Sequence, residues 1–312
     1  MAEFDLIERI RLRAGGRSDV LLGIGDDAAL LMPPANQLLA VSTDVLNEGV
    51  HFRASDAPFD IGWKALAVNL SDLAAMGAEP AWALLTLALP EAEEAWLDRF
   101  IDGFLTLATG HGVALVGGDT TRGALSVGVT VHGFVPPTLA LRRSGAKVGD
   151  DLWVTGTLGD AAAGLADSSR PDLAARLYRP TPRVAAGLAL RGLASACIDI
   201  SDGLFADLGH LLRASNCGAT VQLASLPTSP ALARMCAGPD RWLYQCAGGD
   251  DYELCFSAPP SHREQIGKAL ALTGTPAGVI GRMDATRGLR AVAPDGRHWQ
   301  RPRSGYQHFE GM

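Results

Sequence analysis

The 312-residue chain carries 27 Lys and Arg against 34 Asp and Glu, a formal charge of −7. That balance argues against a nucleic-acid or anionic-membrane surface, since the densest basic cluster is the pair Arg142-Arg143. The length suits two hydrophobic cores better than one.

Segment 1–16 mixes Glu3, Asp5 and Glu8 with Arg9, Arg11 and Arg13 around no apolar centre, so no signal peptide is expected. Phe4, Ile7, Ile10 and Leu12 predict a short amphipathic helix. A strand is predicted over 20–24, running into Gly25-Asp26-Asp27, and another over 38–41, ending in Ser42-Thr43-Asp44. After a loop at 47–52, residues 60–76 predict a helix on which Asn69, Asp72 and Met76 share a face. The apolar run 81–89, bracketed by Pro80 and Pro90, is too short to span a bilayer, and 82–89 within it reads as a buried strand. A helix follows over 91–111, then a strand over 113–116 that ends in Gly117-Gly118-Asp119-Thr120-Thr121-Arg122. Its glycines allow a ligand close to the backbone, and its hydroxyls and Arg122 offer donors to phosphate oxygens. A plain tight turn would also use Gly-Gly-Asp; the Thr-Thr-Arg that follows favours the functional reading. Leu125, Val127, Val129 and Val131 alternate with polar or small residues, as a half-buried antiparallel strand does.

Pro136-Pro137 marks a boundary between domains 1–138 and 139–312. Beyond it come a strand at 152–155, a glycine turn at 156–160, helices from 161 and after Pro182, and an apolar run leading into Asp199-Ile200-Ser201-Asp202-Gly203. A helix at 204–215, a strand at 219–223 and a strand opened by Gly248-Gly249-Asp250-Asp251-Tyr252 complete the predicted elements. Gly-Gly-Asp beside an apolar segment occurs in both halves, at Asp119 and Asp250, which points to two halves of similar fold. The five cysteines, Cys197, Cys217, Cys236, Cys246 and Cys255, are odd in number and form no C-x-x-C, as expected of reduced thiols in the cytoplasm.

No P-loop, dinucleotide fingerprint, nucleophile elbow, kinase H-R-D loop or H-E-x-x-H motif is present. What stands out is Asp beside glycine and hydroxyl residues at the edges of apolar segments. Helix capping at 199–203 needs one oxygen, and the sequence supplies three. Carboxylates gathered in one cleft repel by several kcal/mol at an effective dielectric of about 20. Their clustering therefore calls for divalent cations, and oxygen-only ligands select Mg²⁺, Mn²⁺ or Ca²⁺ over zinc. Mg²⁺ binds through one or two carboxylates plus substrate phosphates, which points to phosphoryl transfer from ATP. The alternative is that these residues are turn formers scattered over two domains.

Several ordered motifs carry a family resemblance. They are Gly23-Ile24-Gly25-Asp26-Asp27-Ala28-Ala29, Ser42-Thr43-Asp44, Gly49-Val50-His51-Phe52, Asn69-Leu70-Ser71-Asp72-Leu73-Ala74-Ala75-Met76-Gly77, Gly117-Gly118-Asp119-Thr120-Thr121, Arg143-Ser144-Gly145-Ala146-Lys147, Asp199-Ile200-Ser201-Asp202-Gly203-Leu204 and a terminal Gly-Tyr-x-His-Phe. Together they resemble the thiamine-monophosphate kinase family from near the N-terminus to Phe309. The resemblance implies a two-domain α/β (α+β) fold of the aminoimidazole ribonucleotide synthetase-like (PurM-like) type, whose N-terminal sheet pairs across a homodimer. It implies transfer of the ATP γ-phosphate to thiamine phosphate with several Mg²⁺ ions, in the cytoplasm, with neither nucleic acid nor membrane as partner. By motif position Asp27, Ser42, Thr43, Asp44, Asp72, Asp119, Asp199 and Asp202 would hold metal. Gly118, Asp119, Arg143, Ser201 and Ile101 would hold ATP, and His51, Asp250 and Tyr306 would contact thiamine phosphate. No general base is implied, because the acceptor oxygen is already ionised.

The chain departs from the family pattern in three places. Asp250 stands where Glu is usual, which leaves Asp251 as an alternative contact. Ile101 stands where an aromatic residue often meets ATP, and Tyr306 stands where Trp is common. Two rival readings are a relative of the aminoimidazole ribonucleotide synthetase type and a nucleotide-binding regulator without turnover.

Overall fold

The computed structural model describes residues 3–300. One compact unit runs to Leu73 and resumes over Ala78–Thr138; the other takes Ala74–Gly77 and the chain from Leu139 onward. Tyr306 lies outside the described residues, so no structural statement attaches to it.

The N-terminal unit contains α1 (Glu3–Arg13), β1 (Val20–Leu22), β2 (Leu30–Leu31), β3 (Leu38–Asn47), α2 (Pro58–Ala75), β4 (Glu79–Leu89), α3 (Glu94–Gly110), β5 (Ala114–Arg122) and β6 (Ser126–Val135). Its sheet has the order β3-β6-β4-β5, with β4 and β5 parallel and the other pairs antiparallel. Two helices cover one face. They cross where both carry glycine: a Cβ on Gly62 would lie 2.0 Å from the Phe100 carbonyl oxygen, and one on Gly103 would lie 1.9 Å from that of Phe59. Any side chain there would push α2 off α3. Leu66, Leu70, Leu73, Leu87, Phe100, Ile101 and Phe104 fill the fully buried core.

Two strands that carry candidate site residues run past their predicted ends. β6 supplies a partner to every residue of β3 from Leu38 to Asn47, so Ser42, Thr43 and Asp44 lie within the strand instead of ending it. Likewise 117–122 continues β5, paired with β4 as far as Leu89–Arg122, and is not a turn. Ladder hydrogen bonds decided both cases, overriding the low strand propensity of Gly and Asp. The pairing skips one residue between Leu115 and Gly117, a bulge of the kind that re-aims the side chains beyond it.

The C-terminal unit contains β7 (Asp151–Thr155), α4 (Asp160–Ala166), α5 (Pro171–Tyr178), α6 (Val184–Ala189), β8 (Ala196–Asp199), α7 (Leu204–Ser215), β9 (Gly218–Gln222), α8 (Pro230–Met235), α9 (Gly238–Ala247), β10 (Leu254–Ala258), α10 (Arg263–Leu272), β11 (Ala277–Asp284) and β12 (Gly288–Val292). Its sheet order is β12-β9-β11-β7-β10-β8, with β9 and β12 parallel. Leu152, Val154, Ile198, Leu204, Leu208, Leu211, Val221 and Ile280 form its core. The two sheets therefore differ in strand number, though each has one parallel pair at an edge. Among the described residues no helix is long and apolar enough to cross a membrane.

Candidate active site

In the N-terminal unit the strand period of two puts Ser42 and Asp44 on one face of β3 and Thr43 on the other. α2 covers the first face, and Asp72 on that helix accepts a hydrogen bond from Ser42 Oγ at 2.5 Å. Asp44 is near enough to feel the Asp72 charge. Burial first, and then that like charge, push the Asp44 carboxyl up to about 6. A strand and a helix thus hold two carboxylates and a hydroxyl together against electrostatic repulsion. One turn before Asp72, Asn69 is fully buried; its amide donates to the Ala65 carbonyl at 3.0 Å and its Oδ1 has no partner.

Thr43 points away from this group. Its hydroxyl donates to the Val129 carbonyl at 3.1 Å and meets the Thr130 hydroxyl at 2.9 Å in a cross-strand pair, which leaves its backbone as the group to meet a metal beside Asp44. Asp27, in the β1–β2 connection, and Asp119, on β5, are exposed. Among the described residues no three His, Cys, Asp or Glu side chains gather into a set able to hold a metal by themselves. Ile101 is 1% exposed in the α3 core. It packs, and it presents nothing for a nucleotide to touch. Gly118 has φ 148°, and a Cβ there would lie 1.8 Å from the Leu85 carbonyl oxygen, so the sheet itself already requires glycine. His51 Nδ1 accepts the Asn47 amide at 2.9 Å, which leaves Nε2 as the proton-bearing nitrogen of the neutral ring.

In the C-terminal unit the acidic residues sit on turns. Asp199 ends β8 and is 5% exposed; Ser201 and Asp202 follow in the turn that opens α7. Asp207, in the first turn of α7, reaches back to accept the backbone amides of Ser201 at 3.1 Å and Asp202 at 3.0 Å. Burial and the neighbouring Asp202 charge push its carboxyl up to about 7. Sequence reasoning missed Asp207, although an Asp in the first turn after an acidic loop is a recognisable brace. Arg143 is exposed in a loop whose carbonyl accepts Ser215 Oγ of α7 at 2.9 Å.

The 248–252 turn lies against 199–202. Asp250 donates its amide to the Ser201 carbonyl and Tyr252 donates to that of Ile200, each at 2.8 Å. Asp250 (φ 67°) and Tyr252 (φ 49°) both adopt the left-handed conformation, and the Tyr252 hydroxyl donates to Asp250 Oδ1 at 3.1 Å. Asp251 is 1% exposed and accepts the Gly159 amide at 2.9 and 3.1 Å. It is an internal brace, which removes it as the alternative ligand contact and leaves Asp250 as the accessible carboxylate of the pair.

The donor set suits a hard cation. Every candidate ligand is an oxygen, two carboxylates are held in mutual repulsion, and the carbonyl oxygen of Asn69 is buried without a partner. Mg²⁺ completes its shell with water and substrate phosphates, so a pair of carboxylates rather than a closed cage is the arrangement it uses.

Both units are those of an AIR synthase related protein. The model of the N-terminal domain of that class matches residues 25–135, and the model of its C-terminal domain matches 147–293. The chain is 49% identical over 319 aligned residues to the thiamine-monophosphate kinase of Escherichia coli O157:H7, covering 98% of each chain. The crystal structure of the thiamine-monophosphate kinase from Stenotrophomonas maltophilia K279a superimposes with a TM-score of 0.88 at 51% identity, over 95% of this chain and 98% of that one. AaThiL complexed with AMPPCP and TMP matches with a TM-score of 0.79 at 33% identity, over 98% and 96% of the two chains. The chain belongs to the thiamine-monophosphate kinase family and is a kinase.

Proposed function

We propose that this enzyme transfers the γ-phosphate of ATP directly to the phosphate of thiamine monophosphate, giving thiamine diphosphate and ADP, with Mg²⁺ as the required cation. The observation that carries the reading is the Ser42–Asp44–Asp72 group, where Ser42 Oγ donates to Asp72 and burial, with the nearby Asp72 charge added, pushes the Asp44 carboxyl up to about 6. These residues would hold Mg²⁺, which supplies neutralisation of phosphate charge. Asp44 and Asp72 would hold it in the N-terminal unit, with Asp27, Asp119 and the backbone of Thr43 as further oxygen donors there; within the C-terminal unit, Asp199 and Asp202 are the candidate metal ligands.

The remaining roles follow from chemistry. The acceptor is a phosphate monoester whose second pKa is about 6, so its oxygen is ionised at neutral pH and no side chain has to remove a proton. Positioning and charge neutralisation are what the residues supply. Arg143 and the Ser201 hydroxyl of the C-terminal unit would hold ATP, and in the N-terminal unit Gly118 and Asp119 are the candidate ATP contacts. His51 would donate Nε2–H to the acceptor phosphate. Asp250 would face the cationic thiazolium, and Tyr306 would offer it a ring face.

A homodimer built on the N-terminal sheet is part of this reading. β3 is an edge strand ten residues long, and Leu39, Val41 and Val45, all more than half exposed, line the face opposite α2. An apolar row of that length on an unpaired edge favours association with a second copy. A cytoplasmic location accords with five free cysteines.

The test is direct. Incubation with ATP, Mg²⁺ and thiamine monophosphate is expected to yield ADP and thiamine diphosphate in equal amounts, measured by chromatography. Free thiamine, which lacks the ionised nucleophile, is expected to yield neither. Efficient phosphorylation of free thiamine, or ADP release independent of the acceptor, would contradict the reading.

A further inference from the structure

Glu253 lies between the 248–252 turn and the start of β10, and it is 0% exposed. Both of its oxygens are fully engaged. Arg183 grips it in a fork, Nε to Oε2 at 2.6 Å and Nη2 to Oε1 at 2.5 Å. Arg176 Nη2 donates to Oε1 at 2.7 Å and also to the Asp251 carbonyl at 3.3 Å. Thr155 Oγ1 donates to Oε2 at 2.7 Å while accepting the Leu254 amide at 2.8 Å. Gly156 completes the enclosure, since a Cβ there would lie 2.0 Å from Oε1. Four donors on one buried carboxylate, two of them from an arginine fork, form a rigid anchor.

What the anchor holds is a turn that would not keep its shape unaided. Asp250 and Tyr252 both carry side chains in the left-handed region, which persists only where surroundings over-determine it. Asp251 and Glu253 alternate with them and point inward, Asp251 onto the Gly159 amide and Glu253 into the arginine pair. These two buried carboxylates fix the backbone that carries the half-buried Asp250. The neighbouring 199–202 turn has its own brace in Asp207, which takes the Ser201 and Asp202 amides. Loosening the Glu253 anchor therefore acts on Asp250 before it acts on Ser201 or Asp202.

We propose that Arg176 and Arg183 are positioning residues for the acceptor: by clamping Glu253 they hold the Asp250 carboxylate in its binding conformation, and so set affinity for thiamine monophosphate and not for ATP. This rests on the reading of Asp250 as an acceptor contact. Arg183→Lys keeps the charge and loses the fork. It is expected to raise KM for thiamine monophosphate about tenfold, with kcat and KM for ATP changed less than about threefold. Arg176→Gln, which removes a single donor, is expected to act in the same direction and more weakly, and serves if the first variant folds poorly.

Asp250→Ala separates the proposal from the reading beneath it. If Asp250→Ala raises KM for thiamine monophosphate and Arg183→Lys adds nothing further in that background, the clamp works through Asp250. An acceptor KM that rises in Asp250→Ala but stays unchanged in Arg183→Lys overturns the clamp and leaves the reading intact. An acceptor KM untouched by Asp250→Ala overturns the reading, and the clamp with it. Equal rises in both KM values, or a full additional effect of Arg183→Lys on top of Asp250→Ala, overturn the clamp as a device for the acceptor.

Discussion

In the N-terminal unit Ser42, Asp44 and Asp72 sit inside a strand and a helix, whereas in the C-terminal unit Ser201, Asp202 and Asp250 sit on turns. The first group needs no brace, because β3 is paired along its whole length and α2 is buried among leucines. The second is braced from within, by Asp207 on the backbone amides and by Glu253 under two arginines. Rigid elements suit a site where like charges are forced together, since a loop would move to separate them. Turns suit a site that presents backbone and side chains around a shaped substrate, provided something buried fixes them. The two units thus reach preorganisation by opposite routes.

Substitutions can break or sharpen this contrast. The largest effect is expected from Asp72→Asn, which should lower kcat/KM about a thousandfold or more. The same change relieves the like-charge pair with Asp44, so the thermal midpoint is expected to hold or rise; a large drop would mean the carboxylate serves the fold instead. Next, Gly118→Ala places a methyl 1.8 Å from the Leu85 carbonyl at a positive φ. A loss of about 2–4 kcal/mol in urea unfolding is expected. Asp207→Ala strips the acceptor from two turn amides and is expected to raise KM for ATP about tenfold with a loss of about 1–3 kcal/mol. The smallest effect is expected from Thr43→Val, within about threefold in kcat/KM, because its hydroxyl faces Thr130 and not the carboxylates. A hundredfold loss there would place the Thr43 hydroxyl in the metal shell after all.

The fold was legible where periodicity and punctuation coincide. α2 was expected over 60–76 and runs Pro58–Ala75; α7 begins at Leu204 and ends at Ser215, as its leucine spacing predicts. Strand ends were not legible when polar residues continue a ladder, because a cross-strand partner is invisible in local sequence. Ending β3 at Val41 hid the alternation that separates Thr43 from Ser42 and Asp44. Ile101 fell to the same difficulty: motif position suggested a ligand, while α3 required an apolar residue facing the core. The Glu253 anchor left no local trace at all, since Arg176 and Arg183 lie 77 and 70 residues away in sequence. The short elements α5, α8, α9, α10, β11 and β12 had also gone unpredicted, each depending on tertiary packing more than on its own pattern.

The central claim is that Asp44 and Asp72 form the cation platform on which ATP is bound. Calorimetric titration of Mg²⁺ and AMPPCP into the wild-type enzyme and into Asp72→Asn tests it without turnover. Binding weakened about thirtyfold or more in the variant, with the thermal midpoint retained, is the expected result. Equal affinity in the two proteins would contradict it.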